Sequence, residues 1–186
     1  VAIGSNSHCN AFSVSMGIET GASKQGKGCI AIGNEAGQFQ QARDSPDVDE
    51  GAISIGYRAG NDSQGVRSVA IGNEAGRCQQ GSQSVALGFK AGTQTQQIRA
   101  TAIGHNAGFS TQGMSAVAVG AESGRDSQQA NAVTIGYRSG YFTQNTAAVS
   151  IGVEAGYQGQ YANSIAIGIQ SGKFNQHGNA IAIGMQ

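Results

Sequence analysis

Ser68-Val69-Ala70-Ile71-Gly72-Asn73-Glu74-Ala75-Gly76-Arg77-Cys78-Gln79-Gln80 is one statement of a phrase, A-I-G-x-x-A-G with a Gln four residues further on, that returns along the whole chain. Its first glycine falls at Gly56, Gly72, Gly88, Gly104, Gly120, Gly136, Gly152, Gly168 and Gly184, every interval being 16 residues, and the same phrase extends upstream to Gly33 and Gly17. Self-similarity at a fixed step marks a repeat architecture, in which each unit is one coil that cannot bury its apolar face alone. A chain spent on one repeated coil leaves little room for a unique catalytic constellation, so a structural or binding role is the expectation.

Within the unit, the residue before the first glycine is aliphatic (Ile71, Leu87, Ile135, Ile167), as is the residue two positions earlier (Val69, Val85, Val133, Ile165), with Thr101 the one exception in that second row. A small residue, such as Ala70, Ala86 or Ser150, lies between them. This period-2 pattern in β-branched residues predicts a short strand with one face buried. The pairs Val69/Ile71, Val85/Leu87, Val133/Ile135 and Ile165/Ile167 are read as a narrow core. The paired glycines, Gly72 with Gly76 and Gly88 with Gly92, are read as corners where the backbone takes positive φ or another backbone comes close. A Gln sits eight residues after the first glycine: Gln64, Gln80, Gln96, Gln112, Gln128, Gln144, Gln160 and Gln176, with Gln25 and Gln41 before them. Stacked about 4.8 Å apart, these side chains can pass amide hydrogen bonds from coil to coil. We read them as a structural ladder, a ligand-binding row being the alternative.

The fold predicted is all-β: a parallel β-solenoid, or β-roll, of 16-residue coils, each with two short strands and two turns. The interior is thin, two aliphatics and one Ala per coil, and a single layer of that kind is marginal alone. Lateral association with partner chains follows. The position two after the first glycine alternates in sign (Glu35, Arg58, Glu74, Lys90, then Glu122, Arg138, Glu154), which disfavours a slipped register although each exposed pair contributes only about 0–1 kcal/mol.

The repeat breaks twice. Gly4 to Gly17 is 13 residues, so residues 1–16 are read as an irregular first coil or cap before the array 17–186. Gly33 to Gly56 is 23 residues, and the excess is an inserted acidic loop at 42–50 that holds Pro46, the only proline. Asp44, Asp47, Asp49 and Glu50 there could hold Ca²⁺ through clustered oxygens, but calcium-loop spacing is absent and a solvated loop is the plainer reading. The chain starts and stops inside the repeat, and is read as a portion of a longer fibre.

Lys+Arg and Asp+Glu are both 11 and charged residues are only 12%, which argues against nucleic-acid or membrane-surface binding. No apolar run is long enough for a membrane-spanning helix. Cys9, Cys29 and Cys78 occupy three different repeat positions and match no metal spacing, so reduced thiols or an interchain disulfide are the readings. His8, His105 and His177 form neither a row nor a pair, and no nucleophile, zinc or phosphate motif is present. No cofactor and no enzymatic activity are expected. An ice-binding surface would want an aligned Thr row, whereas Thr95, Thr111 and Thr143 are interrupted.

Ser68-Val69-Ala70-Ile71-Gly72 and Ser164-Ile165-Ala166-Ile167-Gly168 closely resemble the S-V-A-I-G motif of the YadA-like head repeats of trimeric autotransporter adhesins. The fuller phrase A-I-G-x-x-A-G-x-x-x-Q resembles repeats of viral and phage fibre proteins. The step here is longer than in the adhesin heads, and A-G-x-x-x-Q is not part of their usual pattern. The resemblance implies a left-handed β-roll, a homotrimer, and an extracellular place on a virion or cell surface. The expected function is a non-enzymatic fibre or shaft. The alternatives are an adhesin head that binds a host surface receptor and a filament assembled end to end.

Overall fold

The computed structural model of the chain describes residues 1–8, 11–23, 25–42 and 51–186. Among these there is no helix; the chain is an all-β, parallel solenoid of about eleven turns. One three-residue strand per turn, such as Val69–Ile71 or Val85–Leu87, joins a sheet of 12 parallel strands. Like pairs with like: Val69 faces Val85, Ala70 faces Ala86 and Ile71 faces Leu87. The long interval is absorbed without slip, because Ile30 pairs with Ile53 and Ile32 with Ile55. The first coil enters the same sheet through Ala2 with Ser15 and Ile3 with Met16. Residues 43–50 and Cys9 lie outside the described residues, and with them the proposed oxygen cluster of Asp44, Asp47, Asp49 and Glu50.

The second strand of the coil is less uniform. A sheet of five strands spans Thr95–Gln96, Thr111–Gln112, Asp126–Gln128, Phe142–Gln144 and Gln158–Gln160. In earlier coils the same line is held only by isolated bridges, Phe39 with Asp62 and Asp62 with Cys78 among them.

The sidedness of the long sheet reverses the sequence expectation. Ala70, Ala86, Ala102 and Ala118, the small residues between the aliphatics, point inward and are fully buried, clustered with Ala59, Ala75, Ala91 and Ala107 from the corner. Val69, Ile71, Val85, Leu87, Val133, Ile135, Ile165 and Ile167 point outward and are not the core; Leu87 is 41% and Ile135 39% exposed. The physical reason is room. A 16-residue coil closes on a lumen too narrow for two branched side chains per level, and a long Gln already reaches into it from the opposite wall. The largest fully buried side chains are Gln41, Gln64, Gln80, Gln96, Gln112, Gln128, Gln144 and Gln160.

A polar side chain can fill a core only if its amide is bonded. From Gln41 onward, Gln144 excepted, each Nε2 crosses the lumen to the carbonyl of the outward residue eleven positions earlier: Gln64 donates to Ile53 O at 2.9 Å, Gln112 to Thr101 O at 2.7 Å and Gln160 to Val149 O at 2.9 Å. Among the described residues, amide-to-amide bonds along this row join successive Gln in pairs, Gln25 to Gln41, Gln64 to Gln80 and Gln96 to Gln112 at 3.1 Å, and Gln160 to Gln176 at 3.4 Å. Gln144 departs: branched Thr134 crowds its coil, and its Nε2 turns to Gly156 O at 3.0 Å.

The Oε1 atoms obey a second rule. Where the inward strand residue is Ser, its hydroxyl donates to the Gln of its own coil, Ser15 to Gln25 at 3.1 Å and Ser54 to Gln64 at 2.6 Å, with Ser150 and Gln160 paired likewise. Where it is Ala, the preceding Gln supplies the donor to Gln41, Gln80, Gln112 and Gln176. Gln96 and Gln128, facing Ala86 and Ala118, have neither, and both Oε1 atoms are buried without a partner. Ala86→Ser is therefore expected to stabilise the protein by about 0.5–1.5 kcal/mol. Ala102→Ser, where the Gln112 Oε1 already has its donor, is the control. Equal denaturation midpoints for the two variants would contradict this account.

Candidate functional site

The feature with chemical consequence is the outer face of the long sheet. Each strand contributes one aliphatic from either end of its three residues, and the in-register pairing aligns them into two unbroken columns, one beginning Val14, Ile30, Ile53, Val69 and the other Met16, Ile32, Ile55, Ile71. Thr101 alone is polar within them. Columns two residues apart and coils about 4.8 Å apart make a flat apolar stripe on the order of 500 Å². That reaches the size of the largest apolar patch on an ordinary monomer. All-parallel sheets, moreover, occur almost only with both faces covered. Here the inner face is covered by Gln and the outer face is open.

The stripe is bordered by corners in left-handed backbone conformation. Glu74, Lys90, Glu122 and Arg138 have φ between 51° and 56°, and Gln83, Arg99 and Ser115 between 57° and 62°. Their N–H groups bond across coils, as Glu74 N does to Tyr57 O at 2.8 Å and Lys90 N to Asn73 O at 2.9 Å. The sign alternation of the first of these rows becomes ion pairs: Arg58 with Glu35 at 2.7 Å, Lys90 with Glu74 at 4.0 Å and Arg138 with Glu122 at 2.7 Å. Lys173 and Gln170 both hold Glu154, which lowers its carboxyl below the ordinary value, the Lys173 bond being the larger cause. These partly exposed pairs hold register and add little stability.

The two glycines of each corner have separate tasks. Gly88 has φ +129°, and a Cβ there would lie 2.6 Å from Gly104 O of the next coil. Gly92 has φ +54°, and its Cβ would meet the Gln96 Oε1 at 2.9 Å. Gly72 and Gly76 repeat the two conformations at +129° and +53°. The first glycine lets coils approach; the second clears space for the buried amide.

One row escaped the sequence reading. Five residues after the first glycine, Phe109, Arg125, Tyr141, Tyr157 and Lys173 stack along the axis. The Arg125 guanidinium sits 5.7 Å from the Phe109 ring and 5.2 Å from that of Tyr141, which stacks on Tyr157 at 5.2 Å; Lys173 closes the row 5.9 Å from Tyr157. The signal available was the fixed step itself, since any residue meets its counterpart 16 positions on. The same rule places His105 on Phe89 at 5.3 Å and His177 on Tyr161 at 6.0 Å, so these histidines stack on aromatic rings. Among the described residues no three His, Cys, Asp or Glu side chains gather as a metal site. Cys29 and Cys78 are free thiols; Cys29 is buried, which pushes its pKa up, and its sulfur accepts the Ala52 N–H at 3.4 Å.

No protein-family model, curated protein or solved structure matches this chain. The functional reading therefore rests on the residues and their geometry.

Proposed function

We propose that the chain is a non-enzymatic structural shaft, a left-handed β-solenoid that associates as a homotrimer to form a fibre on the surface of a virion or cell. The observation that carries this reading is the apolar stripe of Val14 to Ile181 and Met16 to Ile183 on the open face of a parallel sheet. A second copy in the same register offers each column an identical one, and zero net charge means that copies side by side accumulate no repulsion. Three stripes turned toward a common axis bury all of it, with each chain meeting two neighbours. The resemblance to trimeric adhesin heads and viral fibres supports the same count of three. An adhesin head that binds a host receptor, or a filament built end to end, would use the same shaft.

Light scattering on the purified protein is expected to give three times the 18.8 kDa chain mass. Replacing Val133 and Ile135 together with Asp, which sets a charge on both columns at mid-shaft, is expected to yield single chains at the same protein concentration. A wild-type protein that runs as one 18.8 kDa chain would overturn the trimer.

A further inference from the structure

On the wall opposite the aliphatic stripe, the repeat is interrupted at one place in a way that builds a groove. The row seven residues after the first glycine carries side chains at Gln40, Ser63, Gln79, Thr95, Thr111, Ser127, Thr143 and Asn175, and Gly159 alone has none. The gap opens a groove of about 440 Å³ between Thr143 on one side and Asn175 on the other, with Phe142 and Tyr161 among its lining residues. That volume lies within the range of small-ligand sites.

The lining has a definite chemistry. Phe142 is 38% and Tyr161 50% exposed, large rings kept at the surface. His177 stacks on one face of Tyr161, which leaves the other face toward the coil of Asn145, a groove residue. Phe142 is held edge-on by Tyr141 at 4.4 Å and Tyr157 at 5.6 Å, so its ring is fixed in advance of any ligand. The remaining polar lining is the Thr143 hydroxyl and three amides, Asn145, Gln158 and Asn175. Asn145 spends its Nδ2 on Gln160 O at 3.1 Å and keeps its Oδ1, while Gln158 and Asn175 make no side-chain hydrogen bond among the described residues. No charged side chain lines the groove, and the nearby Lys173 is engaged by Glu154 at 2.8 Å.

We infer that this groove is a binding site for a neutral carbohydrate. A pyranose presents an apolar C–H face that suits a tyrosine or phenylalanine ring and rim hydroxyls that suit amides able both to donate and to accept. A lining without a cationic side chain lacks the partner that a phosphate or a sialic carboxylate requires. Fixed rings and a groove formed by backbone geometry lower the ordering cost of binding. The site lies within one chain, on the sheet away from the aliphatic stripe, so it is independent of the trimer.

The test is saturation-transfer NMR and calorimetric titration of the wild-type protein with neutral trisaccharides (maltotriose, cellotriose and N-acetylchitotriose), with sialyllactose as the charged counterpart. Binding of a neutral probe is expected, with protein resonances of Tyr161 and Gly159 shifting and sialyllactose weaker. Gly159→Asn fills the gap, and Asn tolerates the local φ of +70°. Its Cβ would lie 2.6 Å from Asn175 Oδ1, so the substitution also turns the Asn175 amide, a groove residue, aside. It and Tyr161→Ala are each expected to weaken binding at least roughly tenfold with an unchanged far-UV spectrum. No neutral probe bound at millimolar concentration, or binding that survives both substitutions, would overturn the assignment. So would a preference for sialyllactose.

Discussion

Gly88→Ala is expected to lower the unfolding free energy by about 2–6 kcal/mol, the sum of a disallowed backbone conformation and an overpacked contact. The φ of +129° lies well beyond the left-handed well near +57° that an Asn or Asp can occupy, so no L-residue is comfortable there. The added methyl would also sit 2.6 Å from Gly104 O and 2.9 Å from its carbonyl carbon. The coils cannot part locally to admit it, because Gly88 N to Ile71 O and Gly104 N to Leu87 O, both 2.8 Å, clamp the levels on either side. Chemical denaturation followed by far-UV circular dichroism reads the loss. A midpoint within error of the wild type would show that the column tolerates a Cβ and that its glycines serve another purpose.

Gln112→Glu, a change of NH₂ to O, is expected to cost about 3–5 kcal/mol at neutral pH. The Gln112 Nε2 donates to Thr101 O at 2.7 Å and Ala116 O at 3.2 Å, with the side chain fully buried. A carboxylate there would face two carbonyl oxygens with no donor of its own, so burial and the oxygen neighbours raise its folded-state pKa above the unfolded value of about 4.3. A group whose folded pKa is raised holds its proton more tightly in the native state. The variant should therefore be closest to wild type below pH about 4 and lose stability as pH rises above it. Gln112→Leu keeps most of the volume, loses the bonds and should cost about 1–3 kcal/mol with no such pH dependence. A pH-independent deficit for the Glu variant would mean that the carboxylate reaches water and that the lumen is not dry.

Much of this architecture is legible in the order of residues alone. The 16-residue step fixes which residues meet, because a coil that repeats in sequence repeats in space; the pairing of Val69 with Val85 and the ion pair of Arg138 with Glu122 both follow from it. The unvarying glycines announce places where a Cβ does not fit. The direction of the strand's two faces is not legible in the same way. Val-Ala-Ile alternates whichever way it is turned, and the general rule that aliphatics lie inside selects the wrong face. A hint is present in the small residue between them, which is Ala, Ser or Thr at every coil, while its neighbours range over Val, Ile, Leu, Met and Thr. Uniform small volume is what a narrow lumen demands, and Ser is welcome there because its hydroxyl meets a Gln oxygen.

The solenoid, its period, its register and its close-packed corners thus follow from the sequence, since all of these depend only on separation along the chain. What lies inside is settled by the closed fold. How wide the lumen is, and so whether it admits Ile71 or Ala70, depends on how the coil closes around Gln80, a distance across the fold that no local pattern encodes. That closure turns the aliphatic columns outward onto the open face of the sheet, and lets one missing side chain, at Gly159, open a groove on the opposite wall.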